Sequence, residues 1–153
     1  MAPVEVRRTV PTPLDAVWDA LTDFAAYGRW IPLTSMRTEP GPARLGWAFG
    51  GFTGLGPVGF LDSMLVVKWE PPLDGEARFA VRKTGRVLRG WADVRLAATD
   101  AGGTDVVWRE EIVPRPETLG RLAAPAADRV TARLFADALD GMLEAAATRA
   151  TSS

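Results

Sequence analysis

The chain of 153 residues contains no cysteine and no histidine. It therefore lacks the residues for a disulfide, for a Ser-His-Asp or Cys-His catalytic site and for the usual structural zinc sites. The sequence has no spaced acidic cluster of the calcium-loop type, so we expect neither a metal ion nor a cofactor. Any proton transfer would depend on Asp, Glu or Lys, on water polarised by an arginine, or on Tyr27, the only tyrosine.

Strong charge and long hydrophobic runs are absent as well. The formal net charge is −1, which gives no electrostatic basis for binding nucleic acid or an anionic membrane. Asp62, Lys68 and Glu70 interrupt the most apolar segment, so no membrane-spanning helix is predicted. No apolar segment of a secretory signal follows the N-terminal charges. With no cysteine, the bacterial or eukaryotic cytoplasm is the expected location.

Hydrophobic residues make up 47% of the chain, which is enough to bury a core. We expect a single ligand-binding domain over residues 1–150 and a short tail at 151–153. Apolar and polar residues alternate from Val4 to Val10, which predicts a first strand. Two short helices are expected next. They end at Ile31-Pro32, because the residue before a proline is pushed out of the helical region.

The middle of the chain indicates strands and tight turns, and its end indicates one long helix. Gly and Pro turns separate six further predicted strands, at 35–39, 47–52, 60–70, 76–84, 87–98 and 104–113. After Pro116, apolar residues recur every three or four positions, which predicts an amphipathic helix that ends near Thr148. This order of elements is typical of an α+β protein and not of an alternating βαβ one.

Several segments, in this order, resemble the START-like helix-grip (SRPBCC) superfamily of polyketide cyclase/dehydrase and lipid-transport-like proteins. The most specific is the block Val10-Pro11-Thr12-Pro13 with Val17-Trp18-Asp19-Ala20-Leu21-Thr22-Asp23-Phe24. It is followed by Tyr27-Gly28-Arg29-Trp30, Trp69-Glu70-Pro71-Pro72 and Gly103-Thr104-Asp105-Val106-Val107-Trp108. The resemblance covers nearly the whole chain. It implies a helix-grip fold, in which a curved antiparallel sheet of about seven strands wraps around a long C-terminal helix and encloses a hydrophobic cavity. Two short helices would follow strand 1.

Aromatic and apolar side chains are the candidates for the wall of that cavity. An aromatic wall with few polar groups suits a flat or lipid-like ligand, although each of these side chains could instead belong to the core. The candidate ligand-binding residues are Trp30, Trp47, Phe49, Phe52, Leu65, Trp69, Phe79, Val94, Trp108, Glu110, Leu122, Ala126 and Val130.

Glu110 is the strongest single candidate for a polar site residue. In the last strand Asp105 and Glu111 suit the solvent face, and this phase sends Trp108 and Glu110 inward. The pKa of a carboxyl group in an apolar wall rises unless a cation or water reaches it. Such a group can anchor a ligand or act as a general acid or base. Alternatively, strand twist turns Glu110 to solvent, or a cation such as Arg133 neutralises it.

Lys83 and a glycine-rich segment are the remaining candidates. Some members of the resembled family use a cavity lysine to hold a ligand carboxylate; otherwise Lys83 lies at a solvated strand end. Gly54 to Gly59 matches G-x-G-x-x-G, but Pro57 lies inside it and no helix is predicted to begin there, so a dinucleotide site is not indicated. By resemblance, we expect Gly50–Gly59 to form a flexible lid at the cavity mouth.

Members of the resembled family range from lipid carriers to cyclases and stress-protein activators, so three functions stay open. The leading hypothesis is binding or carriage of a small hydrophobic ligand (lipid, polyketide or aromatic), because no catalytic constellation is recognisable. The alternative is a polyketide aromatase/cyclase-type enzyme, a cyclase or dehydratase without metal or nucleotide cofactor. The third is a protein-interaction module, which a large exposed apolar patch would indicate. The expected partner is a small hydrophobic molecule, with no nucleic acid and no stable membrane insertion, in a monomer or homodimer.

Overall fold

The elements follow one another along the chain in the predicted order. The computed structural model describes residues 3–115 and 117–152, and the side chains of these residues except 117–128. The elements are β1 (Val4–Val10), α1 (Leu14–Leu21), a 3-10 helix (Phe24–Arg29), β2 (Thr34–Thr38), β3 (Ala48–Leu55), β4 (Val58–Leu73), β5 (Glu76–Thr84), β6 (Leu88–Ala98), β7 (Thr104–Pro114) and α2 (Glu117–Thr151).

The seven strands form one curved antiparallel sheet in the order β1-β7-β6-β5-β4-β3-β2. The first strand therefore pairs with the last one, and the remaining pairs are sequential hairpins. Helix α2 packs against α1 and also contacts β7 and β1. The predicted α+β class, the seven antiparallel strands, the two short helices and the long C-terminal helix are confirmed.

The hairpin of β3 and β4 differs from its prediction at both ends. The expected loop from Gly54 to Gly59 is a two-residue turn, because Gly54 pairs with Gly59 and Leu55 pairs with Val58. At its other end β4 continues through Pro71 and Pro72 to Leu73. An irregularity between Glu70 and Leu73 leaves the two prolines outside the ladder with β5, which is where a strand tolerates residues without an N–H donor.

A bulge in β4 changes the face on which its side chains lie. The register with β5 shifts between Val66 and Lys68, so Val67 is an extra residue. Before the bulge, Met64 and Val66 face the inside of the sheet; after it, Trp69 does. Uninterrupted alternation would have placed Trp69 on the outer face.

One buried cluster joins both helices to the sheet. Trp18 and Leu21 of α1 belong to it together with Leu139 and Leu143 of α2. The ring of Trp18 lies 4.9 Å from that of Trp69 and 5.8 Å from that of Phe79, measured between centroids. This cluster fills one end of the space between sheet and helix and leaves the other end open.

Candidate functional site

A cavity of about 380 Å³ lies between the sheet, the 3-10 helix and the middle of α2. At its rim, Pro32 and Leu134 are exposed and mark the opening to solvent. Most of the wall is apolar, as ligand pockets for hydrophobic molecules usually are. The apolar and aromatic lining comes chiefly from Phe24, Tyr27, Trp30, Phe49, Met64, Phe79, Val81, Ala92, Trp108, Ile112, Leu134, Phe135 and Ala138.

Three charged side chains interrupt the apolar wall and form what we call the acid–lysine cluster: Asp62 of β4, Lys83 of β5 and Glu110 of β7. The Nζ atom of Lys83 donates a hydrogen bond of 2.6 Å to Oδ2 of Asp62 and lies 3.6 Å from Oε1 of Glu110. The side chains of Lys83 and Glu110 are each only 5% exposed. Buried charges are stable only when they are paired in this way.

Small residues on β6 allow Lys83 and Glu110 to meet across an intervening strand. Lys83 pairs with Gly90, and Glu110 pairs with Ala92. Because neither β6 residue carries a long side chain, the lysine reaches over this strand toward β7. Gly90 is required for a second reason. A Cβ atom on it would lie 1.9 Å from the carbonyl oxygen of Glu111.

Burial raises the pKa of Glu110 to about 7, although the nearby positive charge of Lys83 and a hydrogen bond from Trp108 oppose the rise. Burial, and next the charge of Glu110, raise the pKa of Tyr27 well above its usual value. The Tyr27 hydroxyl donates a hydrogen bond to the carbonyl oxygen of Leu21. With a pKa of about 7, Glu110 can give or take a proton near neutral pH.

The structure brings several of the sequence-predicted residues to the cavity. Glu110 and Lys83 both line it, and the cation beside Glu110 is Lys83 and not Arg133, which is exposed and pairs with Asp137. The other predicted residues that line the cavity are Trp30, Phe49, Phe79 and Trp108. Whether these side chains bind a ligand stays a prediction.

Three predicted residues belong to the packed core instead. Trp47, Trp69 and Val94 are in or against the buried cluster and do not line the cavity. The ring of Trp47 packs on Phe24, and Trp69 packs on Trp18. Sequence pattern places such residues on the inner face, but it does not show which part of that face α1 covers.

The remaining predicted residues do not line the cavity or lie outside the described side chains. Phe52 and Leu65 are on the outer face of the sheet, opposite in phase to Met64. Val130 is 60% exposed on α2. Leu122 and Ala126 lie outside the described side chains.

Asp62 is the charged cavity residue that was not predicted from the sequence, alongside several apolar lining residues such as Phe24, Met64 and Phe135. In the sequence it stands out only as a charge that interrupts an apolar segment. In β4 both faces contain apolar side chains, so the alternation does not reveal which face is buried. Counting alternate positions back from the inward-facing Trp69 would place Phe60, Asp62 and Met64 on the outer face. Only the bulge at Val67 shows that these three residues face the inside.

Two further properties concern metals and membranes. Among the described residues, no three His, Cys, Asp or Glu side chains come close enough together to hold a metal ion. In the cavity, the cation between the carboxylates of Asp62 and Glu110 is the ammonium group of Lys83. Within the same part of the chain, no helix has the length and apolar character needed to cross a bilayer.

Solved structures share this architecture at low sequence identity. A hypothetical protein from Helicobacter pylori has a TM-score of 0.77 at 15% identity, with 95% of this chain and 88% of the other covered. The Zhui aromatase/cyclase from Streptomyces sp. R1128 has a TM-score of 0.72 at 19% identity, with 97% and 94% covered. A protein from Thermus thermophilus has a TM-score of 0.73 at 13% identity, with 97% and 99% covered.

At these identities the structural likeness shows the fold alone. No curated protein matches the sequence. The sequence profile described as "polyketide cyclase / dehydrase and lipid transport" matches residues 1–151, nearly the whole chain. With the seven-stranded sheet, the long helix and the cavity between them, this match shows that the chain belongs to the polyketide cyclase/dehydrase and lipid transport family.

Proposed function

We propose that this protein binds or carries a small hydrophobic molecule inside the cavity between the sheet and α2. The observation that carries the proposal is the cavity of about 380 Å³, whose wall is apolar apart from a few polar groups. Transfer of an apolar ligand from water to such a wall is favourable by roughly 25 cal/mol per Å² of buried apolar surface. The ligand class (lipid, polyketide or aromatic), a cytoplasmic location and a monomeric or dimeric state stay predictions from the sequence.

A second candidate is a cyclase or dehydratase acting on a polyketide-like substrate. It is favoured by the acid–lysine cluster, which places an acid with a pKa of about 7 inside an apolar cavity. One structural neighbour is named an aromatase/cyclase. In such a reaction Glu110 would give or take a proton, and Lys83 would stabilise negative charge that develops on a substrate oxygen.

Binding is tested with N-phenyl-1-naphthylamine, an uncharged dye that fluoresces in apolar sites. We expect saturable binding of one dye per chain. Ala92→Leu should weaken it at least tenfold, because Ala92 is buried and lines the cavity. Ala97→Leu on the outer face of the same strand is the matched control and should bind like the wild type. Equal binding by both variants, with both folded in circular dichroism, would contradict the proposal.

The two candidates differ in the fate of the bound molecule. Native mass spectrometry of freshly purified protein identifies a carried ligand by its unchanged mass. An enzyme would instead convert a linear poly-β-ketone with loss of water, and Glu110→Gln would reduce that rate at least a hundredfold while the dye still binds. Unchanged turnover in this variant excludes Glu110 as the proton-transfer group.

A further inference from the structure

We propose that the polar end of the ligand is an uncharged hydroxyl, an alcohol or a phenol, that donates a hydrogen bond to Asp62, and that a ligand carboxylate is rejected. The proposal rests on the cavity being a ligand site, as argued above. It concerns which chemical class of hydrophobic molecule the acid–lysine cluster selects.

Charge balance in the cluster disfavours an anion. Asp62 and Lys83 form a close ion pair whose charges cancel, and Glu110 adds a further negative charge whenever it is ionised. Among the described residues that line the cavity, Lys83 is the only Lys or Arg. A ligand carboxylate would therefore meet two carboxylates around one ammonium group, and no second cation would compensate for its desolvation.

The hydrogen bonds already made within the acid–lysine cluster favour a ligand group that donates a hydrogen bond. The ammonium group of Lys83 already faces Asp62 at 2.6 Å, Glu110 at 3.6 Å and the Sδ atom of Met64 at 3.9 Å. Oδ1 of Asp62, in contrast, is buried and accepts no hydrogen bond from the described residues. A buried acceptor is strongly favoured to gain a donor, and an ionised carboxylate can accept several.

Geometry and strand phase place the Asp62 side chain at the cavity. Asp62 lines it and lies on the same strand face as Phe60 and Met64, which also line it. An apolar ligand that fills the aromatic wall can thus bring a terminal hydroxyl to the Asp62 carboxylate. Because Oδ1 is itself covered in the structure, the carboxylate has to rotate to accept this hydrogen bond. A ligand carboxylate in the same position has no donor hydrogen, so its oxygens could not form a hydrogen bond with the carboxylate of Asp62.

The test is competition against N-phenyl-1-naphthylamine at pH 7.5 by three compounds with the same ring system: 2-naphthol, 2-naphthoate and 2-methylnaphthalene. We expect 2-naphthol to displace the dye at a concentration at least tenfold lower than 2-naphthoate. In Asp62→Asn the negative charge is lost, so the ratio of naphthoate to naphthol affinity should change at least fivefold in favour of naphthoate. Ser63→Ala, on the opposite face of β4, is the control and should keep the wild-type ratio.

Each outcome is decisive. If 2-naphthoate competes as well as 2-naphthol in the wild type, the proposal is overturned, and the same holds if Asp62→Asn leaves the ratio unchanged. The 2-methylnaphthalene measurement gives the affinity due to the ring alone, and 2-naphthol must exceed it in the wild type. If Asp62→Asn fails to fold, the three wild-type affinities decide alone. If neither the dye nor any competitor binds, it is the proposed binding function that fails.

Discussion

The indole Nε1 of Trp108 donates a hydrogen bond of 3.3 Å to Oε2 of Glu110, two residues further along the same face of β7. Lys83 lies beside the other oxygen, Oε1. Both oxygens of the carboxylate therefore have a partner, yet burial outweighs these partners and keeps the pKa of Glu110 about 7. Glu110 is thus held in the cavity wall in a state that depends on pH.

The raised pKa of Glu110 makes the free energy of unfolding depend on pH. The folded-state pKa of about 7 lies above the ordinary value of 4.5, so the folded protein binds the proton more tightly than the unfolded chain. The stability contributed by Glu110 is fully present below about pH 4.5 and is lost as the pH rises through 7. The loss is on the order of 3 kcal/mol. Urea unfolding of Glu110→Gln from pH 5 to 8 should lack this slope.

The control for that experiment is Glu111→Gln on the outer face of β7, where Glu111 accepts a hydrogen bond from Trp91. It should keep the wild-type pH slope. If Glu110→Gln and the wild type lose stability in parallel between pH 5 and 8, Glu110 does not titrate with a raised pKa.

Lys83→Met removes the cation between two carboxylates that lie in the same wall. We expect a loss of about 3–5 kcal/mol in unfolding free energy at pH 8, because Asp62 and Glu110 are then left buried without their cation. The loss should be smaller at pH 5, where Glu110 is protonated. Adding Glu110→Gln should recover part of the stability at pH 8.

Arg82→Met is the neighbouring control, since Arg82 is exposed on the outer face of β5. Its unfolding free energy should lie within about 0.5 kcal/mol of the wild type. A Lys83→Met variant that is as stable as Arg82→Met would show that the acid–lysine cluster adds nothing to folding.

Leu139→Ala should lower the unfolding free energy by about 2–5 kcal/mol, because it empties a site that is only 2% exposed between α1 and α2. Leu134→Ala on the same helix gives the comparison. Leu134 is 47% exposed at the cavity mouth, so its truncation should cost under about 1 kcal/mol. Denaturant unfolding of both variants measures the difference, and equal costs would contradict the assigned packing.

Gly141 provides a way to move the cavity wall from outside the cavity. A Cβ atom on Gly141 would lie 2.7 Å from Cε3 of Trp30, whose indole lines the cavity. Gly141→Ala should displace this ring and change dye affinity at least threefold. The helix gains about 1 kcal/mol from alanine, which offsets the cost of repacking. Glu144→Ala, which is exposed on the same helix, should leave dye affinity unchanged.

Regular alternation is what made parts of the site predictable from the sequence. In β7 the charged residues Asp105, Arg109 and Glu111 share one phase of the strand, so the inward direction of Trp108 and Glu110 could be inferred from the order of residues. The three-and-four spacing of apolar residues likewise predicted an amphipathic helix, and Leu139 and Leu143 of that helix lie in the core. The antiparallel arrangement was predictable from the turns between sequential strands together with the family resemblance.

The rest depended on tertiary contacts. Trp47 and Trp69 face inward as expected, but packing against Phe24 and Trp18 makes them core residues and not cavity residues. Leu65 and Phe52, named as candidates for the cavity wall, lie on the outer face of the sheet. The sequence does not reveal this, because β3 and β4 have apolar side chains on both faces and β4 contains a bulge. The pairing of Lys83 with Asp62 joins residues 21 positions apart, which no local pattern reveals.

The bulge at Val67 has a consequence for how this strand tolerates a change in length. Val66 pairs with Val81 and Lys68 pairs with Ala80, so Val67 is an extra residue without a partner on β5. Deleting Val67 would leave both pairings in place. Asp62 and Met64 would then keep their position on the cavity side, and Trp69 would keep its position in the core. This position is therefore one at which β4 can lose a codon without exchanging the lining of the cavity.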